Sequence, residues 1–377
     1  MKIDIIGGGP AGLYFAILMK KADPRHIITV YERNRPNDTF GWGVVFSAKT
    51  MNKLGEYDVE SHRRIVESFV SWDNVVVAVK HTQITVHGNS FTGISRLRIL
   101  NILQERCTEL GIEQRYETNV TDLSQFADAD LIVAADGINS EIRTRFREHF
   151  DPEISTRPNK YIWYGTHQPF FGLTLTFREN KDGVFAAHSY KFSEDTSTFI
   201  IECDAETWRK AGFDRQTDLE TRAYLEKVFE PDLGGHPLLS NNSKWLNFLH
   251  VRNNHWFYEN IVLMGDALHT AHFSIGSGTK LAMEDSIALY EAIMKYPFIA
   301  EALPAYQSAR KPSVDEYQEA AFTSLVWFEN LKQYIDLSPM DFAYRLMMRS
   351  GRIGHENLRK RDPEFVAKYE AEIGERY

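Results

Sequence analysis

The sequence predicts a mixed α/β (α+β) fold, in which a Rossmann-like nucleotide-binding domain carries an inserted antiparallel sheet and precedes a C-terminal helical region. Three observations predict this class: a glycine turn between an apolar strand and a helix near the N-terminus, two-residue alternation in the middle of the chain, and helical patterning beyond Tyr306. We therefore expect a discontinuous nucleotide-binding domain (1–70, 90–155 and 255–305), a sheet domain (71–89 and 156–254) and a helical region (306–377).

Composition narrows the class of protein. Of the 377 residues, 43% are hydrophobic and 25% are charged, as in an ordinary globular protein. The net charge of −9 argues against a general nucleic-acid binder. Cys107 and Cys203 lack metal-ligand spacing, so we expect no metal site and a reducing, cytoplasmic setting. The sequence has no apolar run long enough to span a membrane, so we expect no membrane segment. The sequence leaves open whether the protein is a monomer or a homodimer.

The N-terminal turn has the glycine spacing of a dinucleotide site. Lys2–Ile6 is a predicted strand, and Gly7, Gly9 and Gly12 follow it before an apolar helix. The three glycines allow a tight turn, close approach of a pyrophosphate and packing of the helix on the strand, respectively. Glu32 ends the next predicted strand, where a carboxylate binds ribose hydroxyls. This context predicts a bound dinucleotide.

A second glycine-rich stretch lies two thirds of the way along the chain. Ile261–Met264 reads as a buried strand ending at Gly265 and Asp266, and Gly276–Gly278 precedes a helix that we expect to start at Thr279. A carboxylate at a strand end suits a polyol, and a helix start suits a developing anion. A reduced flavin has both a polyol, its ribityl chain, and a developing anion on its ring. An ordinary strand–turn–helix explains these residues equally well.

Further candidate ligand contacts lie between these two stretches. Arg33–Ala48 is predicted to be a loop, and the two glycines beside Trp42 favour close approach to a ligand. Arg96, near the start of a predicted helix, either reaches a phosphate or lies on the surface. Asp136 follows another apolar strand, with Arg143 in the next turn, at the sheet edge where ligands bind in open α/β folds.

The middle of the chain changes to strand periodicity. Between Asn159 and Phe248 the apolar residues alternate with a period of two, which predicts an antiparallel sheet. Tyr164 and His188 are the candidate polar groups of this sheet, although a histidine in a strand is more often structural. The predicted strands are Tyr161–Thr166, Leu173–Phe177, Val184–Tyr190 and Ser197–Cys203.

The C-terminal helical region contains a basic run. Arginine side chains bind phosphate oxygens bidentately, so a run of cations in a chain of net charge −9 is a candidate phosphate site. The alternative, slightly favoured for the run itself, is a solvated helix face. Its members are Arg345, Arg349, Arg352, Arg359, Lys360 and Arg361.

Taken in order, the motifs resemble the single-component FAD-dependent aromatic hydroxylases, the p-hydroxybenzoate hydroxylase-like group. The resemblance covers nearly the whole chain. It rests on Gly7–Gly12 with Glu32, on Asp136 and Gly137 with Arg143, and on Gly265 and Asp266 with His269, Gly276 and Gly278.

The resemblance implies FAD as cofactor and NAD(P)H as reductant. Glu32 would bind the adenosine ribose, Arg96 the phosphate region and Asp266 the ribityl and pyrophosphate part, while Asp136 would serve both FAD and the nicotinamide cofactor. The sheet domain would then bind substrate. The implied cofactor-binding residues are Gly7, Gly9, Ala11, Gly12, Glu32, Arg33, Val45, Arg96, Asp136, Gly265, Asp266, Gly276, Gly278 and Thr279.

Departures from the family pattern point to a subgroup. His272 and Phe273 stand where the family usually has prolines, and Lys280 stands where it has asparagine. With Phe40–Val45 and Lys160–Thr166, this variant is similar to salicylyl-CoA 5-hydroxylase, aminobenzoyl-CoA monooxygenase and the tryptophan hydroxylase of violacein synthesis. The implied substrate residues are Trp42, Tyr164, His188, His272 and Phe273.

The resemblance implies an NAD(P)H-dependent monooxygenase that uses O₂ and a flavin C4a-hydroperoxide to hydroxylate an electron-rich ring, with His188 and Tyr164 as catalytic candidates. The expected substrate is an aromatic acyl-CoA such as salicylyl-CoA or aminobenzoyl-CoA. A tryptophan or indole hydroxylase and a non-catalytic FAD carrier are the alternatives. A flavin-dependent halogenase is disfavoured because no Trp-x-Trp-x-Ile-Pro segment occurs, and a simple NAD-dependent dehydrogenase because it leaves Asp266 and the inserted sheet unexplained.

Overall fold

The fold was obtained as a computed structural model that describes residues 1–46, 48–276 and 278–374, without the side chains of residues 48–50. Its strands, in chain order, are β1 Lys2–Ile6, β2 Ile27–Tyr31, β3 Gly43–Phe46, β4 Val70–Trp72, β5 Val75–Val79, β6 Thr82–Val86, β7 Phe91–Ser95, β8 Glu113–Arg115, β9 Leu131–Ala134, β10 Pro152–Thr166, β11 Leu173–Asn180, β12 Gly183–Lys191, β13 Ser197–Cys203, β14 Leu238–Leu239, β15 Leu246–Asn253, β16 Phe257–Tyr258 and β17 Ile261–Leu263.

Helices lie at both ends of the chain and between the strands. In the described ranges, no helix is both long enough and apolar enough to cross a bilayer. The helices are α1 Pro10–Ala22, α2 Ala48–Tyr57, α3 Val59–Glu67, α4 Arg96–Glu109, α5 Glu141–Arg145, α6 Arg147–Phe150, α7 Ala205–Lys210, α8 Asp218–Val228, α9 Glu230–Leu233, α10 Gly278–Lys295, α11 Ile299–Glu329, α12 Pro339–Met348, α13 His355–Arg361 and α14 Pro363–Gly374.

The first sheet is the Rossmann-like element. Its order is β16-β17-β9-β1-β2-β8, and all neighbours run parallel except the β16–β17 edge pair. The central strands are apolar on both faces because helices, α1 and α10 among them, cover the sheet. The predicted fold class is therefore confirmed, and the strand ends put Gly7, Asp136 and Gly265 on one edge.

The second sheet is larger and mostly antiparallel. Its order is β14-β10-β13-β12-β11-β5-β6, and β15 also pairs with β10. One face packs on α11–α14 around Phe177, Phe328 and Phe342, while the other packs on α8 and α9 around Phe199 and Phe229. The sheet is therefore covered by helices on both faces.

Two details of the predicted secondary structure were wrong. Arg33–Ala48 is not a loop throughout, because Val44, Val45 and Phe46 are buried in β3, which joins β7 and β4 in a third sheet. The second sheet is not entirely antiparallel, because β5 pairs in parallel with β11. A strand from an earlier segment can add to an inserted sheet in either direction, and alternation alone does not reveal which.

Two long elements cross the expected domain limits. β10 runs through position 156 and α11 runs through position 306, so neither limit coincides with a linker. The first half of α11 contributes Leu303 and Tyr306 to the core of the first sheet, whereas its last turns contribute Trp327 and Phe328 to the core of the second. A single helix therefore packs against both sheets. Positions 375–377, at the end of the expected helical region, lie outside the described residues.

Candidate active site

The N-terminal turn has the predicted steric requirements. Gly7 has a φ of +111°, and a Cβ there would lie 2.1 Å from the Ala135 carbonyl oxygen. A Cβ on Gly12 would lie 2.3 Å from the Gly7 carbonyl oxygen. Gly9, which precedes the first turn of α1, would meet no atom within 4 Å. Gly7 and Gly12 hold the turn closed. Gly9 leaves open space at a helix N-terminus, where a phosphate binds well.

Glu32 reaches this turn from the neighbouring strand β2. Its Oε2 accepts a 2.8 Å hydrogen bond from the Gly8 N–H, and its Oε1 accepts from the Asn34 N–H at 2.8 Å and from the Asn34 amide at 2.7 Å. These three donors hold the carboxylate beside the open space at Gly9. Arg33, the next residue, is exposed and is not part of this arrangement.

The two glycine-rich stretches meet. Gly265 has a φ of +61°, and a Cβ there would lie 3.3 Å from the Ala11 Cβ and 3.5 Å from the Ala282 Cβ. A Cβ on Gly278 would lie 4.0 Å from the Asp266 Oδ1. The start of α1, the turn after β17 and the start of α10 therefore form one surface, which we call the cradle. It also includes Thr279, while Ser277 lies outside the described residues.

Asp266 lies in the cradle. Its side chain is accessible, but the surrounding protein raises the pKa of its carboxyl group, while the positive charges of Arg96 and His269 act in the opposite direction. Arg96 also donates its backbone N–H to the Trp42 carbonyl at 2.8 Å. An accessible carboxylate beside a cation can accept hydrogen bonds from a polyol without being neutralised by an ion pair.

A buried cluster that we did not predict fixes this turn from behind. The fully buried Asp285 accepts hydrogen bonds from the Gly265 N–H at 3.3 Å and from the Arg310 Nε at 2.9 Å. The His269 Nε2 lies 2.8 Å from the same carboxylate. Because Asp285 and Arg310 come from α10 and α11, no local sequence signal links them to the turn.

Asp136 lies on the same sheet edge but is turned inward. Its Oδ2 accepts hydrogen bonds from the Glu141 N–H at 2.9 Å and the Ile142 N–H at 3.3 Å, and its buried Oδ1 has no hydrogen-bond partner among the residues that the structure describes. Burial raises the pKa of this carboxyl. Arg143 donates to the Ala267 carbonyl at 2.8 Å and so ties this segment to the cradle.

The cradle residues fit FAD. Gly9 leaves room for a pyrophosphate at a helix start, Glu32 lies beside it, and Asp266 is accessible between Gly9 and α10. At the far end, a Cβ on Gly276 would lie 3.7 Å from the Val45 Cβ, so these two residues are neighbours. A glycine turn at a helix start and a carboxylate at the end of the next strand are the features with which a Rossmann-like domain binds a dinucleotide.

The loop before β3 lies on the second sheet. A Cβ on Gly165 would lie 2.7 Å from the Trp42 ring, and one on Gly41 would lie 2.6 Å from the Trp163 ring. Tyr190 adds a 2.7 Å hydrogen bond from its hydroxyl to the Gly43 carbonyl. The loop glycines thus make close approach to aromatic rings of the protein itself, which places Trp42 over the sheet.

Beyond the cradle, a narrow recess opens to solvent between β10, β13, β15 and α11, and its empty space is about 220 Å³ when the part open to solvent is included. Glu202, buried in its wall, accepts hydrogen bonds from the Asn159 amide at 3.0 Å and from the His188 Nε2 at 3.1 Å. The His272 Nε2 lies 4.0 Å from the same carboxylate. The lining residues are Arg157, Asn159, Tyr161, Glu202, Phe248, His272, Phe273, Leu325 and Glu329.

Burial sets the charges in this recess. Burial would raise the pKa of Glu202, but the hydrogen bond from His188 and the influence of His272 hold it below its usual range. Burial lowers the pKa of His272 to about 4, although Glu202 acts in the opposite direction. At neutral pH the recess therefore has an ionised carboxylate beside a neutral His272.

Tyr164 does not share this face, although we expected both Tyr164 and His188 as candidate polar groups of the substrate site. The strand register pairs Tyr164 with Phe199 and His188 with Ile200. Successive strand residues point to opposite faces, so Tyr164 and His188 also point apart. The Tyr164 hydroxyl donates to Asp218 at 2.9 Å on the far side of the sheet.

Sequence reasoning also missed Glu202. In β13 all seven residues are buried, and Glu202 is the single charged side chain among them. An acid within an otherwise uncharged buried strand was the available signal, since a buried charge needs polar partners. Tyr161 shares this face, because the register pairs it with Glu202.

The turn that carries His272 and Gly276 is held from the C-terminal region. The His272 Nδ1 lies 2.8 Å from the Ser274 Oγ, which lies 2.8 Å from the Ser324 Oγ. Arg349 donates to the Ser324 Oγ at 2.9 Å and to the Ser274 carbonyl at 2.6 Å. Arg349 therefore holds this turn in place through hydrogen bonds and is not a free phosphate ligand.

Other members of the basic run also have protein partners. Arg345 pairs with Asp341 at 2.9 Å, and Arg361 donates to Asn89 at 3.0 Å. Arg359 contacts Glu370, and Arg352 lies over the Tyr317 ring at 4.5 Å. These contacts do not support the run as one continuous phosphate site.

Comparisons with known proteins agree with this geometry. Residues 124–320 match the family described as an FAD binding domain. Salicyloyl-CoA 5-hydroxylase of a Streptomyces species is 40% identical over 377 residues, which span 97% of this chain and 72% of that protein. The 3-hydroxy-4-methyl-anthranilyl-[aryl-carrier protein] 5-monooxygenase of Streptosporangium sibiricum is 34% identical, over 95% of this chain and 97% of that protein.

The chain is also similar to a monooxygenase that acts on a violacein precursor and to a solved oxygenase structure. Protodeoxyviolaceinate monooxygenase of Chromobacterium violaceum is 34% identical over 91% of this chain and 93% of that protein, and its name gives protodeoxyviolaceinate as its substrate. A crystal structure of 2-methyl-3-hydroxypyridine-5-carboxylic acid oxygenase, in a mutant form, superposes with a TM-score of 0.71 at 16% identity, covering 96% of this chain and 98% of that one, and supports the fold alone.

Proposed function

The chain belongs to the FAD-dependent aromatic monooxygenases, and within this family we propose that it hydroxylates a benzoyl ring that bears an amino or hydroxyl group and is held as a thioester. It is an NAD(P)H-dependent flavoprotein hydroxylase. When bound, FAD supplies the redox chemistry that NAD(P)H and O₂ require. The protein's own contribution is binding, orientation and exclusion of water.

One observation carries the substrate proposal. Two relatives that match this chain along almost its full length are named for a 2-hydroxybenzoyl and a 2-aminobenzoyl group, the first on CoA and the second on a carrier protein. Both names place the reaction at ring position 5, which is para to the donor at position 2. An electron-releasing donor activates that position toward electrophilic oxygen, so we infer the same regiochemistry here.

The cradle residues receive the cofactor roles in this proposal. The start of α1 at Gly9 would bind the pyrophosphate, Glu32 the ribose and Asp266 the ribityl chain, while the start of α10 would lie against the flavin ring. Asp136 is assigned a role through α5, which it caps, because its carboxylate faces inward.

The recess residues would bind the ring. Phe273 and His272 follow the cradle directly in the chain, and Tyr161 and Phe248 form the facing walls. The Trp42 loop covers the adjoining part of the sheet, which would keep water from the reacting atoms. We retain His188 as a polar group of this site and no longer propose Tyr164.

The test compares effectors of NADH and NADPH oxidation by the FAD-loaded protein. We expect 2-hydroxybenzoyl-CoA and 2-aminobenzoyl-CoA to stimulate oxidation at least tenfold over the free acids, and mass spectrometry to find one added oxygen on an intact thioester. Equal stimulation by the pantetheine thioester would point to a carrier-bound substrate. Stimulation by indole compounds alone would favour the protodeoxyviolaceinate-type alternative, and a yellow protein that no aromatic compound stimulates would overturn the proposal.

A further inference from the structure

Two carboxylates border the recess, and their surroundings differ. Glu329 accepts two hydrogen bonds from the Arg157 guanidinium, at 2.9 and 2.6 Å, so a permanent positive charge balances it. Glu202 is 3% exposed and has no arginine or lysine among its hydrogen-bond partners in the described ranges. Its hydrogen-bonding neighbours are the Asn159 amide and the imidazole of His188. The His272 imidazole lies 4.0 Å away, and the Arg349 guanidinium acts on Glu202 electrostatically, without a hydrogen bond in the described ranges.

Within the described part of the chain, this difference leaves Glu202 in the wall of the recess without a hydrogen-bonded arginine or lysine. A carboxylate removed from water is stabilised by hydrogen-bond donors and destabilised by further negative charge. Asn159 occupies Oε1 and His188 occupies Oε2, but a carboxylate has about four lone-pair sites, so both oxygens can accept again. A ligand group that brings an N–H or O–H is therefore favoured beside Glu202, and a ligand carboxylate is disfavoured.

The walls define the remainder of the ligand. Phe273 lies edge-on to the His188 ring at 5.2 Å and tilted to the Tyr161 ring at 5.0 Å, so the space beside Glu202 is bounded by ring systems. Phe248 contributes a further ring, 5.0 Å from that of His272. A flat aromatic ring with a polar substituent directed at Glu202 matches both the aromatic surroundings and the charge.

We propose that Glu202 is a specificity-determining residue, which accepts a hydrogen bond from the amino or hydroxyl group of the substrate ring. His188 and Asn159 act on it as positioning residues, because each fixes one carboxylate oxygen. The inference rests on the proposed function in that it assigns the ring donor a binding partner. It adds that a ring with a carboxylate in the donor position is excluded.

The experiment measures binding to the oxidised holoenzyme through the change in flavin absorbance, without NAD(P)H and without turnover. The probes are 2-aminobenzoyl-CoA and benzoyl-CoA, which differ in the donor alone. A site built around a buried hydrogen-bonding group discriminates strongly against a ligand that lacks the partner. We expect the parent to prefer 2-aminobenzoyl-CoA by roughly 10- to 100-fold, and Glu202→Gln to reduce this preference at least fivefold.

Glu226→Gln is the matched control, since it makes the same change at a carboxylate outside the recess, where Glu226 accepts a hydrogen bond from the Leu238 N–H at 2.8 Å, and it should leave the preference unchanged. An unaltered preference in Glu202→Gln, with FAD content and thermal midpoint like those of the parent, would overturn the proposal. If Glu202→Gln does not retain FAD, the same ratio is measured on Glu202→Asp, which keeps the charge but withdraws it, and a ratio equal to the parent's again overturns the assignment.

Small thioester-free probes separate this inference from the proposed function. Anthranilamide, benzamide and phthalamate carry an amine, a hydrogen and a carboxylate at the same ring position. If the parent binds no thioester but prefers anthranilamide over benzamide and rejects phthalamate, the thioester proposal fails and the role of Glu202 stands. If phthalamate binds the parent as well as anthranilamide does, the role of Glu202 is refuted whatever the substrate proves to be.

Discussion

The cradle and the recess are adjacent, but they are built in different ways. The cradle consists of backbone and glycines at the ends of parallel strands and the starts of α1 and α10, and each of its parts is a short continuous stretch. The recess consists of side chains from β10, β13, β15 and α11, which are far apart in the chain. The cradle therefore depends on steric fit, whereas the recess depends on polar side chains whose charges respond to their surroundings.

The largest expected effect tests the steric character of the cradle. Gly12→Val would place a branched side chain 2.3 Å from the Gly7 carbonyl oxygen and 2.9 Å from the Ile5 Cγ2, so the turn must open. We expect a protein that purifies without FAD and has a clearly lowered thermal midpoint. Flavin absorbance and differential scanning fluorimetry measure the two effects.

Gly9→Ala is the paired variant. It meets no protein atom within 4 Å, and the φ of −78° at this position suits alanine. Its apoprotein should melt like the parent apoprotein, while FAD affinity falls at least tenfold because the methyl group enters the space assigned to the pyrophosphate. If FAD binds Gly9→Ala as tightly as it binds the parent, the phosphate does not lie there.

The same contrast explains which parts could be predicted from the sequence. The turn at Gly7, the acid at Glu32 and the Gly265–Asp266 turn each combine a strand, a glycine and a polar residue within a few positions, and this local pattern determines the local structure. The fold class was predictable for the same reason, although β3 and the parallel β5–β11 pair were not.

The recess could not be predicted in this way. Which face of a strand lines a site depends on the register and on what covers each side, and neither is encoded locally. Tyr164 was a reasonable candidate by residue type, but it lies on the face that packs on α8 and α9, whereas Tyr161 lies on the face that carries the recess. Arg349 looked like a surface cation, because nothing near it in the sequence reveals Ser274 and Ser324 as partners.

An intermediate effect is expected where the recess is held from outside. Arg349→Met removes the donors to the Ser324 Oγ, the Ser274 carbonyl and the Leu346 carbonyl, which lie 2.9, 2.6 and 2.7 Å away. Leaving such acceptors unsatisfied should lower the free energy of unfolding by about 2–3 kcal/mol. Urea denaturation followed by tryptophan fluorescence measures this loss.

Arg345→Met is the control from the same helical region. Arg345 is 51% exposed and pairs with Asp341 one helical turn away, so its loss should cost less than about 1 kcal/mol. If the two variants are equally stable, Arg349 does not stabilise the turn with His272, and other contacts hold that turn. A selective loss in Arg349→Met would sharpen the comparison, since one distant side chain then supports the recess.

The smallest expected effect concerns pH. The pKa of His272 falls from 6.5 to about 4 on folding, mainly through burial, while His188 and Arg349 act in the same direction and Glu202 opposes them. The unfolded chain therefore binds a proton at His272 between these two values and the folded chain does not. Stability from this group is complete above pH 6.5 and is lost as the pH falls toward 4, by about 1 kcal/mol at pH 5.5.

Replacing the imidazole should remove that loss. Between pH 7.5 and 5.5 the thermal midpoint of the parent should fall about 2 °C further than that of His272→Asn, whatever the difference between them at pH 7.5. His81→Asn, in the exposed turn between β5 and β6, should follow the parent curve. Parallel curves for the parent and His272→Asn would mean that His272 is protonated equally in both states. Glu202 would then be balanced at pH 5.5 by a histidine that carries its positive charge in the folded protein, and the recess would not hold a neutral imidazole at that pH.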